Sequence, residues 1–299
     1  MTFGDIKGHS DVKRMLTDIT EGGRVSHSYI FSGKKGVGKH LTAKAWADML
    51  TGGSAADVTE ITNETYADSN KKTGSALSVD TVRAARTDMY LKPYAAQKRV
   101  FIIPNGEEMT PQAQNALLKV FEEPPEYCVI IIVTDNLDVM LQTIRSRAVT
   151  VRFGSLTESE IKEILEEKGI SPSPMVCALA DGSAGLAAEL AENSEKCDLL
   201  KNSIKLLNSA LKGKIKEKYE LISFLQKNRA DCNNILNTFI LFFEQSLLQL
   251  CEKNVTIPIE VNLDSRASYF ITAAENCKKA LKSNVNYNMA VSEFVHSLG

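Results

Sequence analysis

The segment with the clearest chemical capacity is Gly33-Lys34-Lys35-Gly36-Val37-Gly38-Lys39-His40. It follows the apolar run Tyr29-Ile30-Phe31 and opens a helical pattern, which is the strand–loop–helix setting of a phosphate-binding loop. Three glycines let backbone N–H groups wrap phosphate oxygens. The following helix N-terminus adds positive potential, and Lys39 is placed to reach terminal phosphates. Gly33, Gly36, Val37, Gly38, Lys39 and His40 are therefore the candidate nucleotide-binding residues. Metal-dependent hydrolysis is a different matter. Mg²⁺ takes hard oxygen ligands, yet His40 stands where a Ser or Thr hydroxyl should be. The buried strand pattern Val100-Phe101-Ile102-Ile103 should end in a carboxylate and runs instead into Pro104-Asn105-Gly106. Glu107 and Glu108 come only after that turn, so they are not expected at the strand tip. An active P-loop ATPase or nucleotide kinase would have to recruit one of them through a rearranged metal site. No residue suited to positioning an attacking water is evident.

Two further stretches carry chemistry. In Thr143-Ile144-Arg145-Ser146-Arg147-Ala148, Arg147 falls just before a strand, at the rim of a sheet. It reads either as a salt-bridged surface residue or as an arginine finger for a neighbouring subunit's nucleotide. In Asn115 to Pro125, positions 117, 118 and 121 share an apolar helix face and Pro124-Pro125 stops the helix. Glu122 and Glu123 are expected as charged groups at a helix end near an interface rather than as a catalytic pair. His9, His27 and His296 have no partners at metal or catalytic spacing. Phe239, Phe242 and Phe243 read as core or subunit interface. Cys128, Cys177, Cys197, Cys232, Cys251 and Cys277 form no CxxC pair, so they are expected as buried reduced thiols rather than zinc ligands.

The first half of the chain alternates five short strand patterns (28–32, 57–61, 99–103, 129–134 and 149–153) with helical ones (11–20, 39–50, 79–90 and 111–122). That alternation predicts a parallel sheet covered on both faces. Thr110 can cap the helix that opens at Pro111. After Phe153 the strand signals stop. A capping box at Thr157-Glu158-Ser159-Glu160 starts a helix. Breaks at Gly169, Pro172, Pro174 and Gly182-Ser183-Ala184-Gly185 then separate small helices. Longer helices follow, one with a broad apolar stripe from Ile235 to Leu250, then a linker at 256–263 and helices near 265–282 and 287–297. The polar stretch 63–75 reads as a surface loop. Lysines between Lys201 and Arg229 read as a solvated helix face.

The totals bound the function class. With 299 residues the chain has room for two or three domains. Apolar content of 43%, charged content of 24% and a net charge of −2 give no global attraction to nucleic acid. No apolar run approaches a membrane span. The N-terminus does not read as a signal peptide, which points to a cytoplasmic chain.

On Gly8-His9, Ser26 to Gly33, Asn115 to Pro125 and Thr143 to Arg147, in that order and spacing, the first 153 residues resemble the delta-prime family of bacterial DNA polymerase III clamp-loader subunits, within the AAA+ class. The resemblance implies an α/β fold: a RecA-like AAA+ domain with a five-stranded parallel sheet at 1–153. A helical lid at 154–206 and an all-α collar domain at 207–299 would follow. It also implies a stator in a five-subunit ring with motor (gamma/tau) and delta subunits, acting indirectly on a sliding clamp and primer-template DNA. In that role Ser146 and Arg147 would serve a neighbour's ATP site, and no intrinsic ATPase is expected. Motor subunits carry a lid arginine where this chain has Gly185. The four-cysteine zinc module of many relatives is not expected, because residues 49 to 77 contain no Cys. No cofactor is required on this reading, and ATP or ADP held without hydrolysis stays open.

Overall fold

The computed structural model describes residues 2–66, 77–250, 256–263, 266–283 and 285–298. They form two compact units, one of residues 1–160 with 183–185 and the other of 161–182 with 186–299.

In the first unit the elements run α1 (Ser10–Glu21), β1 (Ser28–Ser32), α2 (Lys39–Leu50), β2 (Val58–Glu60), α3 (Val79–Met89), β3 (Arg99–Ile103), α4 (Pro111–Glu122), β4 (Cys128–Thr134), the one-turn α5 (Gln142–Arg145) and β5 (Val149–Arg152). The five strands form one sheet in the order β2-β3-β4-β1-β5, and every pairing is parallel. β3 and β4 are buried along their whole length, as central parallel strands covered on both faces must be.

Strand alternation splits the core into two layers. Ile30, Phe101, Ile103, Ile130 and Ile132 face a cluster with Val82, Met89, Leu117 and Val120 of α3 and α4. Tyr29, Phe31, Val100, Ile102, Val129 and Ile131 face the opposite cluster, which contains Leu16 of α1 and Trp46 of α2. Trp46 sets its ring edge-on to Tyr29 and donates its indole N–H to Thr20 Oγ1 at 2.9 Å. Thr110 caps α4 by accepting the Ala113 N–H at 3.1 Å, as its position before Pro111 suggested.

Most boundaries shift by a residue at most from the sequence pattern, and two of the differences have a visible cause. Asp57, read as the start of a strand, instead ends a short 3-10 turn, because its carboxylate is used by a neighbouring loop. The Gly182 to Gly185 stretch breaks the chain only as far as Ser183, and the next helix already includes Gly185. Of the polar stretch 63–75, residues from 67 onward lie outside the described residues.

The second unit is helical, beginning within α6 (Glu158–Glu167) and continuing through α7 (Pro174–Leu179), α8 (Ala184–Glu192), α9 (Ser194–Leu211), α10 (Ile215–Lys227), α11 (Cys232–Leu250), α12 (Arg266–Lys282) and α13 (Tyr287–Ser297). Phe239, Phe242 and Phe243 of α11 are fully buried. Phe239 stacks on Phe294 and Phe243 packs on Phe270, so the apolar stripe joins α11 to α12 and α13. Residues 256–263 form no regular element, and buried Asn208 holds them through Pro258 O at 2.9 Å and Glu260 N at 3.0 Å. α9 runs unbroken through residues 206 and 207.

Four lysines of the 201–229 stretch form ion pairs: Lys201 with Asp198, Lys214 with Glu217 and Lys216 with Glu220 along one helix turn, and Lys212 with the distant Glu260. Cys128, Cys177, Cys197, Cys232 and Cys277 are buried thiols outside any disulfide, while Cys251 lies outside the described residues. Among the described residues no helix is long and apolar enough to cross a membrane.

Candidate functional site

The phosphate-binding loop leaves the C-terminal end of β1 and enters α2. Gly36 and Gly38 hold φ of +76° and +103°, a region that side-chain-bearing residues avoid. The loop curls because these two positions can be glycine. His9 supports it from outside, with Nε2 2.8 Å from Val37 O, and its ring lies edge-on to Phe153. Gly36 O accepts the Gly185 N–H at 2.9 Å, and a Cβ on Gly185 would sit only 2.9 Å from Gly36 Cα. Gly185 therefore meets the loop backbone to backbone.

Lys39 is 4% exposed, and its ammonium is fully used. It donates to Gly33 O at 2.8 Å, Lys34 O at 2.7 Å and Asp135 Oδ1 at 2.8 Å. Three charge-assisted bonds satisfy a buried cation that would otherwise be costly. Asp135 follows directly on β4, which neighbours β1 in the sheet, so the parallel register carries it to the loop. Its own N–H donates to Glu107 Oε2 at 3.2 Å. Glu107 is thus not at the tip of β3, as expected, but its carboxylate reaches the residue after β4. The tip of β3 itself runs into Pro104 and Asn105.

His40 does not turn toward the loop's phosphate side as a free ligand. Its Nε2 lies 3.3 Å from Glu60 Oε2 without hydrogen-bond geometry, and Lys44 Nζ holds the other oxygen of Glu60 at 2.6 Å. Burial lowers the His40 pKa, with Lys44 acting in the same direction and Glu60 opposing only in part. A mostly neutral imidazole beside an ammonium–carboxylate pair supplies no hard oxygen for Mg²⁺. The backbone donors for an anion are present at Gly36 to Lys39. Two carboxylates near the loop form ion pairs within the chain, Asp135 with Lys39 and Glu60 with Lys44. Among the described residues no group of three or more His, Cys, Asp or Glu side chains could hold a metal ion.

Ser146 and Arg147 sit at the opposite end of the sheet. Ser28, the first residue of β1, donates its hydroxyl to Arg147 O at 2.8 Å. The loop lies beyond the other end of that strand, so roughly 16 Å of extended chain separates Arg147 from Gly33. That is far beyond an arginine side chain, and Arg147 cannot serve its own loop. Its guanidinium donates to Thr143 O at 3.1 Å and pairs with Glu122 Oε1 at 3.1 Å. Ser146 Oγ also donates to Thr143 O at 3.1 Å. Arg147 and Glu122 are 38% and 53% exposed at their side chains, and such a pair is worth about 0–1 kcal/mol. The arginine is held in place but is cheap to release.

The motif residues thus divide into two groups: the loop residues with Lys39 at one end, and Ser146 with Arg147 at the other. Glu122, read as a helix-end charge, is the partner of Arg147. Sequence reasoning missed Asp135 and Glu60. Asp135 had a readable signal, being the first residue past the most apolar strand, and in parallel sheets ligand sites collect at strand C-termini. Glu60 had none, because β2 is a short edge strand.

The sequence model of the family described as "DNA polymerase III, delta subunit" matches residues 8–157. The DNA polymerase III subunit delta' of Bacillus subtilis is 31% identical over 208 residues, covering 65% of this chain and 63% of that protein. The DNA polymerase III subunit gamma/tau of Mycobacterium tuberculosis is 30% identical over 200 residues, covering 62% of this chain and 35% of that protein. The chain therefore spans less than two thirds of either relative. The structure of the RuvB Holliday junction branch migration motor of Thermotoga maritima aligns over 88% of this chain and 89% of its own at 14% identity, with a TM-score of 0.48. The family match spans the phosphate loop, Asp135 and Ser146-Arg147 together, and with it this chain belongs to the family described as DNA polymerase III, delta subunit.

Proposed function

We propose that this chain is the delta-prime stator of a bacterial clamp loader. It takes a place in a cytoplasmic five-subunit ring with gamma/tau motor subunits and a delta subunit, and it helps set a sliding clamp on primer-template DNA. It has the three-part organisation of AAA+ domain (1–153), lid (154–206) and collar (207–299). Its own loop does not hydrolyse ATP, and any ATP or ADP it retains is held without turnover. Its contribution to chemistry is Arg147, delivered with Ser146 to the ATP site of the adjacent motor subunit.

One observation carries this reading: Arg147 stands at the end of the sheet where the strands begin, remote from Lys39 at the other end, on a weak ion pair with Glu122. A guanidinium so placed is out of reach of its own loop but free to enter a neighbour's. An arginine finger stabilises charge on the transferring phosphoryl group and contributes roughly 10³–10⁵ in rate. Arg147→Ala should therefore cut the ATPase of the reconstituted loader by about that order while the complex still assembles. Unchanged turnover in a fully assembled complex refutes the role.

The contact of Glu107 with Asp135 favours a second reading. A carboxylate stands closer to Lys39 than the sequence suggested, as an active ATPase or nucleotide kinase with a rearranged metal site would need. Purified chain would then hydrolyse ATP, and Lys39→Ala and Glu107→Gln would each abolish it. Turnover no greater than that of the Lys39→Ala variant excludes this reading.

A further inference from the structure

The loop between α3 and β3 exposes apolar side chains on a backbone that is firmly tied down. Tyr94 is 78% exposed and Leu91 55%, with Tyr90 beside them at 42%. Scattered exposed apolar residues are ordinary, but here three fall within five residues of one loop.

Two buried charged groups hold this loop. The Asp57 carboxylate is fully enclosed and accepts the N–H groups of Tyr94, Ala95 and Ala96 at 2.6, 3.0 and 2.9 Å. Burial alone would raise its pKa, but these donors and the Ser54 hydroxyl hold it well below the carboxylate range. Arg99 is also buried; it pairs with Asp88 at 3.0 Å and donates to Leu91 O at 3.4 Å. From the other side the Tyr127 hydroxyl donates to Tyr90 O at 2.6 Å. Burying charges is expensive, and here they fix a surface loop that carries no chemistry of its own. A loop already frozen, with apolar groups facing water, loses little conformational entropy on binding.

Its location names the partner. Arg99 opens β3 and Arg147 lies just ahead of β5, so in a parallel sheet both stand at the same end, where the strands begin. With the order β3-β4-β1-β5, three strand spacings, roughly 14 Å, separate them. The connection after α4 bridges the gap: Glu122 contacts Arg147, and Tyr127 contacts Tyr90.

We propose that Leu91 and Tyr94 are the apolar anchor of the surface on which the neighbouring clamp-loader subunit docks, in one face continuous with Arg147. This rests on the reading of Arg147 as acting in trans. The Leu91→Ser/Tyr94→Ser variant of the full chain should bind the motor subunit about tenfold or more weaker. Its ATPase at saturating concentration should match wild type. Arg147→Ala should show the reverse pattern, with near-normal affinity and lost turnover. Unchanged affinity in the double variant overturns the anchor and leaves Arg147 standing, whereas weakened affinity with normal Arg147→Ala turnover supports the anchor and removes the finger. Should the variant melt early, hydroxyl-radical footprinting of the wild-type chain decides: Tyr94 must become protected when the motor subunit is added, and constant reactivity refutes the anchor. A dimer of the wild-type chain alone that the double variant dissolves also refutes it, because the face would then serve a second copy.

Discussion

Lys39 acts as a strut in this chain, and Lys39→Met tests that directly. The substitution keeps the buried stem and removes the ammonium, which is 4% exposed and donates to Gly33 O, Lys34 O and Asp135 Oδ1. Hydrogen bonds to a charged group contribute about 1.5–3 kcal/mol each. Against their sum stands the desolvation of the ammonium, several kcal/mol, which the variant no longer bears. Lys34 is exposed and the Asp135 side chain is 33% exposed, so both freed acceptors rehydrate. The net loss is then about 2–3 kcal/mol, most of it from the less accessible Gly33 carbonyl. For a unit of this size that lowers Tm by roughly 4–12 °C. The assay is built in: Trp46 is the single tryptophan, it is fully buried, and it lies on the helix that begins at Lys39. Melting followed by Trp46 fluorescence without nucleotide therefore reports this unit. Asp135→Asn should cost about 1 kcal/mol, and the double variant should fall short of additive, since the two share one contact. A Lys39→Met variant that melts within about a degree of wild type would falsify the strut.

Two further outcomes follow from burial. The folded-state pKa of His40 lies below its ordinary 6.5, so as pH falls the unfolded chain binds the proton first and stability is lost below about pH 6.5. His40→Gln should make the Trp46-reported Tm less sensitive between about pH 7.5 and pH 5.5, and parallel pH profiles would contradict this. Burial pushes the thiols of Cys128 and Cys277 up to about 12, with Arg99 and Lys98 pulling Cys128 slightly back. Both should resist a thiol–disulfide reagent at neutral pH until the chain unfolds. Rapid native-state labelling at either position, located by peptide mass, would show that the burial is wrong.

Much of the first unit was legible because its signals are local. Strand–loop–helix succession, a continuously apolar run at Val129 to Val133 and the Thr110-Pro111 start each constrain a few neighbouring residues, and the backbone follows them. Asp57 was misplaced because its role is non-local. It caps amides some 37 residues away, and its sequence neighbours give no sign of this. The end of the break at Ser183 was misjudged for the same kind of reason, since Gly185 belongs at once to a helix and to a contact with Gly36.

The sequence by itself determined which residue types stand at the phosphate loop and beyond β3. His40, Pro104 and Asn105 are residue types that cannot ligate Mg²⁺ as a hydroxyl and a carboxylate do, wherever they sit. It also determined that Arg147 was present beside a strand. Only the tertiary structure decided what these residues do. Parallel pairing brings Asp135 to Lys39, and the two form an internal ion pair. The same pairing sends Arg147 to the far end of the sheet, beyond reach of its own loop. Residue type fixes which bonds a side chain can make. Strand order and register fix which partners are within reach.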